Sequence, residues 1–370
     1  MRQCALEAMK PYFSRKYGNA STPYSLGREA RGALDEARER VATALGVIPR
    51  EIIFTGGGTE SINHSIIGAV LGNSHRGAHL ITTTFEHHAT HTIFKFPQNK
   101  LGATVDKVSV GRDGMVNLEE LESKLRDDTI LVSVMHVNNE LGTIQDLDAV
   151  VEMCKPRGIL VQTDCVQAIG KIPVNLREMD VDLACASSHK FGGPKGVGFL
   201  YIKLGIHIQT ICESSHEFGI RGGTENVPGI VGMSAALVEA IEELPEFEKR
   251  ARRFKKQIWD CIKSAAPDAE FNGDPDRCVP SMMNVRLPGC ESEMLVLALD
   301  RFGVAASVGS ACQTDNPEPS HVLTAMGLTP QEAFNSLRLS MGYTTTQEDI
   351  DKFISVFPKG YNQVKSVAVT

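Results

Sequence analysis

Between residues 50 and 202, short apolar runs alternate with amphipathic stretches, and the pattern predicts six buried strands. They fall at 51–55, 79–84, 129–135, 159–163, 181–186 and 197–202 and are rich in Ile, Val, Leu and Thr. Helical spacing of apolar residues appears between them at 117–126 and 145–154. Such strand–helix alternation implies an α/β fold, a mostly parallel sheet with helices on both faces. After about residue 230 the texture changes. Two helical stretches, 229–243 and 246–265, lead into a mixed α+β region that runs to the end of the chain. We therefore expect a large domain over 1–230 and a smaller α+β domain over 231–370, with the first ~14 residues packing beside the smaller one.

Polar clusters follow five of the strands. Gly56-Gly57-Gly58-Thr59-Glu60 follows the first, Glu86-His87-His88 the second and His136-Val137-Asn138-Asn139-Glu140 the third. The fourth strand ends at Thr163-Asp164, with Gln167 three residues on, and the fifth runs into Ser187-Ser188-His189-Lys190. In an open parallel sheet these clusters share the carboxyl edge, where ligands bind. Each has more than one reading. The glycines make either a tight turn or an anion cradle at a helix N-terminus. Asp164 serves a structural ion pair, a helix cap or a protonated heterocycle, since a buried carboxylate needs a counterpart. Lys190 is either a surface lysine or a desolvated amine that forms a Schiff base.

Composition narrows the function classes. Hydrophobic residues make up 42% and charged residues 22%, which argues against disorder. A formal net charge of -7 gives no footprint for nucleic acid or for a membrane surface. No apolar run approaches the ~20 residues that cross a bilayer. The N-terminus carries no secretory signal, so a cytoplasmic protein is expected, or an organellar one if a presequence has been removed. The nine cysteines include no CxxC pair, which disfavours a disulfide framework or a zinc ribbon. No segment matches GxxxxGK[ST], and Gly192-Gly193-Pro194-Lys195-Gly196 also fails GxGxxG. His87 and His91 are spaced i, i+4 but lack HExxH and a completing ligand, so no metal is expected.

Taken in order, these motifs resemble class I cysteine desulfurases, fold-type-I pyridoxal phosphate enzymes of the aminotransferase class V family. The resemblance extends through His136-Val137-Asn138-Asn139-Glu140-Leu141-Gly142, Ser187-Ser188-His189-Lys190-Phe191-Gly192-Gly193-Pro194-Lys195-Gly196 and Arg221-Gly222-Gly223-Thr224-Glu225-Asn226. It continues in Ser307-Val308-Gly309-Ser310-Ala311-Cys312 and Ser336-Leu337-Arg338-Leu339-Ser340. It implies that Lys190 holds pyridoxal 5'-phosphate as a Schiff base, that Asp164 pairs with the pyridinium nitrogen and that Gln167 meets the ring hydroxyl. His87 would stack on the ring and assist proton transfer. Gly58, Thr59, Ser187 and His189 would hold the phosphate, with Thr224 supplied by the partner of a homodimer. Asn139 and Arg338 would bind the substrate carboxylate, for which a planar guanidinium fork is suited.

The same resemblance makes Cys312 the nucleophile that receives sulfur from L-cysteine, releases alanine and passes the persulfide to an acceptor. That acceptor would be an iron–sulfur scaffold or a tRNA thiolation protein. The spacing from Cys312 to Glu318-Pro319-Ser320 looks like the long-loop class. The chain departs from the family pattern in four places. The opening segment resembling Tyr-Leu-Asp-x-Ala-Ala-Thr-Thr-Pro is absent, and Glu213-Ser214-Ser215-His216-Glu217 replaces a glycine run. Cys165-Val166 stand where two small residues are usual, and Gly192 stands for a tyrosine. Two alternatives stay open: Ala306-Ser307-Val308-Gly309 and Thr22-Pro23-Tyr24-Ser25 resemble the selenocysteine lyase branch, which acts on L-selenocysteine, and the missing opening segment motivates a cofactor-binding scaffold without turnover.

Overall fold

The fold is known from a computed structural model that describes residues 1–213, 215–308 and 318–367. Its centre is a seven-stranded sheet of β1 (Ile52–Thr55), β2 (His79–Thr83), β3 (Thr104–Val108), β4 (Thr129–Ser133), β5 (Leu160–Asp164), β6 (Leu183–Ser187) and β7 (Gly198–Ile202). The spatial order is β1-β7-β6-β5-β4-β2-β3. All pairings from β6 to β3 are parallel, whereas β7 runs antiparallel to both β6 and β1. Two reversals restore direction, so β1 points the same way as β6. The six expected strands are all present. The additional strand, β3, lies at the sheet edge and exposes Thr104 and Lys107, so it has no continuous apolar run to read.

Strand side chains alternate between the two faces. On one face Ile52, Phe54, Val132, Val161 and Ala184 pack with Leu34 and Val41 of helix Ser25–Ala44 and with Met233 and Leu237 of helix Val227–Glu242. On the other, Ile53, Leu80, Leu131, Leu160 and Leu200 meet Ile62, Ile66 and Val70 of helix Gly58–Asn73. Each fully buried aliphatic side chain contributes about 1.5–3 kcal/mol, so the two faces anchor the sheet firmly. A third cluster lies under an antiparallel sheet of β8 (Glu270–Phe271), β9 (Met282–Arg286) and β10 (Ser336–Ser340). There Phe254, Ile258 and Ile262 of helix Leu244–Ala265 meet Leu295, Leu299, Phe353 and Phe357. Helix Gln3–Met9 packs on helix Val227–Glu242, where Gly232 leaves room for Met9.

The segment after β7 is tied back by a buried ion pair. Arg38 donates to Glu217 through both guanidinium nitrogens, at 2.8 and 2.7 Å, and also to the Ile52 carbonyl. Glu217 in turn accepts from the Phe54 backbone N–H at 2.7 Å. The Arg38 guanidinium lies against the rings of Phe54 and Phe218, 4.4 and 4.9 Å from their centroids. Glu217 and Phe218 both have left-handed φ, 45° and 59°, a strained choice for residues with side chains. The ion pair and ring contacts hold that strain. We predict that Glu217→Ala, which leaves Arg38 buried without a counter-charge, costs ~3–5 kcal/mol in denaturant unfolding. Glu248→Ala, whose partner Arg252 is exposed, should cost under ~1 kcal/mol in the same assay.

Candidate active site

β5 and β6 are parallel neighbours, and each delivers one charge to the same edge. β5 ends at Asp164, whose Oδ1 accepts the Val166 backbone N–H at 2.8 Å. The second carboxylate oxygen has no hydrogen bond among the described residues. Asp164 is buried, which pushes its pKa up to about 6 despite the nearby Lys190. From β6 the chain enters a single 3₁₀ turn, Ser188–Phe191, stopped by left-handed Gly192 (φ 92°). This turn carries Lys190 to the cleft. Desolvation, then Arg338, lower the Lys190 pKa from its ordinary value, and Asp164 opposes them. Lys190 itself stays open to the cleft.

Beside Lys190 lies an anion cradle. Gly57 (φ 144°) precedes the sixteen-residue helix Gly58–Asn73, whose first turn presents free backbone N–H groups. The approach to the ends of β5 and β6 is tight: a Cβ on Gly58 would come 2.9 Å from Val166 Cγ2 and 3.5 Å from Ser187 Cβ. Ser187 Oγ and His189 Nδ1 are 3.0 Å apart on the facing side. Glu60, a carboxylate in the same turn, is turned away by Arg221, which bonds it at 2.7 and 3.3 Å. The cradle therefore keeps its positive end.

Opposite these groups, His87 caps the short helix His88–Ile93. Its Nδ1 accepts the Ala89 backbone N–H at 3.1 Å, which places the ring proton on Nε2. Burial, with His88 and Lys190 adding to it, lowers the His87 pKa and favours this neutral form. Arg338, on β10, donates to the Asn139 carbonyl and to Ser307 Oγ, both at 3.1 Å. Gln167 accepts at Oε1 from Lys171 Nζ. Together these elements enclose a cleft of about 690 Å³.

Ten of the residues expected from sequence thus line one cleft: Gly58 and Thr59 at the helix start, His87 and Asn139 opposite, Asp164, Gln167, Ser187, His189 and Lys190 on the floor, and Arg338 from the second sheet. Thr224 is exposed and does not line it. Cys312 lies outside the described residues. Two groups escaped the sequence reading. Lys171 was legible only as the residue four positions after Gln167. Glu86 was read as a neighbour of His87, whereas its carboxyl is wholly buried, accepting from Met135 N–H (2.8 Å) and Thr83 Oγ (2.9 Å) while Oε2 has no partner. Burial pushes its pKa up to about 8. His321 joins His88 and His91 in a ring cluster with centroids 4.4 and 4.9 Å apart. Among the described residues no group of three His, Cys, Asp or Glu is arranged to hold a metal.

Comparison with known proteins gives this geometry its context. The sequence matches the aminotransferase class-V family over residues 1–353. The chain belongs to that family. It is 41% identical over 366 residues to the cysteine desulfurase IscS of Clostridium botulinum, covering 98% of this chain and 92% of that protein. The cysteine desulfurase IscS of Dictyoglomus turgidum is 40% identical over 369 residues, 100% of this chain and 93% of that one. Among solved structures, a NifS-like protein superposes with a TM-score of 0.91 at 36% identity, covering 97% of this chain and 95% of its own. SspA in complex with cysteine gives 0.82 at 29% identity, over 94% and 97%.

Members of this class-V family use pyridoxal phosphate, and the residues present fit that group. A helix-terminal anion cradle, a partly desolvated lysine and a buried carboxylate with one free oxygen share the cleft. Asn139 Oδ1 is also buried there without a partner. Glu86 yields a prediction for the cofactor-free protein. Its folded pKa of about 8 exceeds the usual carboxyl value, so the folded state binds the extra proton. The associated stability is present below about pH 4.5 and is lost as pH rises through about 8. Glu86→Gln mimics the protonated carboxyl. It should match the wild type near pH 5 and exceed it by one to several kcal/mol near pH 8, as read by urea unfolding at the two pH values.

Proposed function

We propose that this chain is a cysteine desulfurase that holds pyridoxal phosphate through Lys190 and converts L-cysteine to L-alanine, leaving the sulfur on Cys312. The observation that carries this reading is that Lys190, in the turn after β6, and the half-bonded Asp164 carboxylate, at the end of the neighbouring β5, line one cleft beside an anion cradle. Its similarity to cysteine desulfurases along nearly the whole chain supports the substrate. Pyridoxal phosphate, when bound, supplies an electron sink conjugated to the substrate's α-carbon.

Each residue then has a defined task. Gly58, Thr59, Ser187 and His189 bind the phosphate through backbone and side-chain donors. Asp164 holds a proton on the ring nitrogen with its free oxygen, and its charge repays the cost of burial once that cation arrives. Gln167 donates to the ring oxygen. Arg338 and Asn139 orient the substrate carboxylate. Neutral His87 keeps a transferable proton on Nε2. In balance, L-cysteine and the Cys312 thiol give L-alanine and a Cys312 persulfide: the substrate C–S bond breaks, one S–S bond forms, and the thiol proton ends on alanine. The persulfide passes to an acceptor protein with a thiol or a metal–sulfur scaffold. We place Thr224 at the partner's cleft in a homodimer, a reading supported by its exposure away from the cleft of its own chain.

The test is alanine release from L-cysteine by the cofactor-loaded protein with a reducing thiol present. Cys312→Ala should lower turnover roughly a hundredfold or more while keeping the cofactor's visible absorbance, and Lys190→Ala should lose both. Undiminished alanine release by Cys312→Ala contradicts the assignment. Turnover confined to L-selenocysteine would replace the substrate, and bound cofactor without turnover on either would leave a scaffold.

A further inference from the structure

Lys171 is a half-buried lysine that the mechanism above does not use. It lies in the turn after β5, where backbone N–H groups of Ala168 and Ile169 bond the Cys165 carbonyl and those of Lys171 and Ile172 bond the Ala168 carbonyl. That winding puts Gln167 and Lys171 on one side, and Lys171 Nζ donates to Gln167 Oε1. Gly170, between them, has φ 77° and packs so closely that a Cβ there would come 2.7 Å from Phe191 Cβ. Phe191 follows Lys190 directly, so the turn carrying Asp164, Gln167 and Lys171 is pressed against the turn carrying Lys190. Lys171 lines the same cleft as these residues.

An amide has an acceptor end and a donor end that differ little in shape. Which end faces the cleft depends on what occupies the other. With its oxygen engaged by Lys171, Gln167 is left to offer its NH₂ group, which has no hydrogen bond among the described residues. We propose that Lys171 is a positioning residue that, through Gln167, fixes a donor toward the ring oxygen of the bound cofactor. This rests on the proposed function above and extends it to a residue with no role there. Burial, then the nearby Lys190 and Arg338, lowers the Lys171 pKa to about 7. An amine is a donor in both its charged and neutral forms, so its hold on Oε1 survives that shift.

The experiment is a double-mutant cycle on the cofactor-loaded protein, read by cofactor dissociation and by the visible absorption maximum. Lys171→Met should weaken cofactor binding roughly tenfold and shift the maximum, because one charge-assisted hydrogen bond behind Gln167 is lost. Lys171→Arg, which keeps donors, should recover most of both. Lys171→Leu, which likewise has no donor, serves as the second neutral variant if the Met side chain disturbs folding. In a Gln167→Ala background, Lys171→Met should add less than about twofold, since the amide it orients is gone. Wild-type affinity and spectrum in both neutral variants, or an undiminished loss in the Gln167→Ala background, would overturn the assignment to Lys171 alone. A wild-type chain that takes up no cofactor would overturn the functional reading beneath it.

Discussion

The parallel pairing of β5 with β6 is the constraint on which the site depends. Asp164 pairs in register with Cys185, so the last residue of β5 lies two residues before the end of β6 at Ser187. One 3₁₀ turn then suffices to bring Lys190 alongside. Two opposite charges reach one cleft without a long loop, and each strand is buried on both faces, which limits how far either can move. β7 completes the arrangement by running the other way. Residues 192–197 link the turn that carries Lys190 to β7.

Electrostatics follow from that geometry. Lys190, Lys171 and Arg338 converge on the cleft; besides burial, Lys190 and Arg338 disfavour the charging of Lys171, and Arg338 that of Lys190. The carboxylates nearby are muted in different ways. Glu60 is engaged by Arg221, Glu140 accepts from Ser320 Oγ at 2.6 Å, and Glu86 is driven toward its neutral form by burial. Asp164, on the floor beside Lys190, keeps one carboxylate oxygen without a hydrogen bond among the described residues. A cleft of this balance suits a ligand with a phosphate and a carboxylate at its periphery and one cationic ring nitrogen at its floor.

Much of this was legible in the sequence because buried strands announce themselves. Six apolar runs gave six strands, and the polar residues after five of them fell on one edge because β1 and β6 share a direction. The edge strand β3 was not legible, since a half-exposed Thr-Val-Asp-Lys-Val segment lacks both a clean alternation and a continuous apolar run. The roles of Glu86 and Lys171 were hidden for a different reason. Both are charged residue types, which are usually solvated, and only tertiary packing, of Phe191 on Gly170 and of Glu86 beneath Met135, draws Lys171 partly and Glu86 wholly out of water. Likewise the Arg38–Glu217 pair joins positions 179 residues apart, a separation that no local pattern records.

The central claim is that Lys190, among the amines around the cleft, is the one that bonds the cofactor. Borohydride reduction of the pyridoxal phosphate-loaded protein, followed by peptide mapping by mass spectrometry, tests it directly. The account predicts a phosphopyridoxyl group on the peptide containing Lys190. The same modification found instead on Lys171 or Lys195 would contradict it.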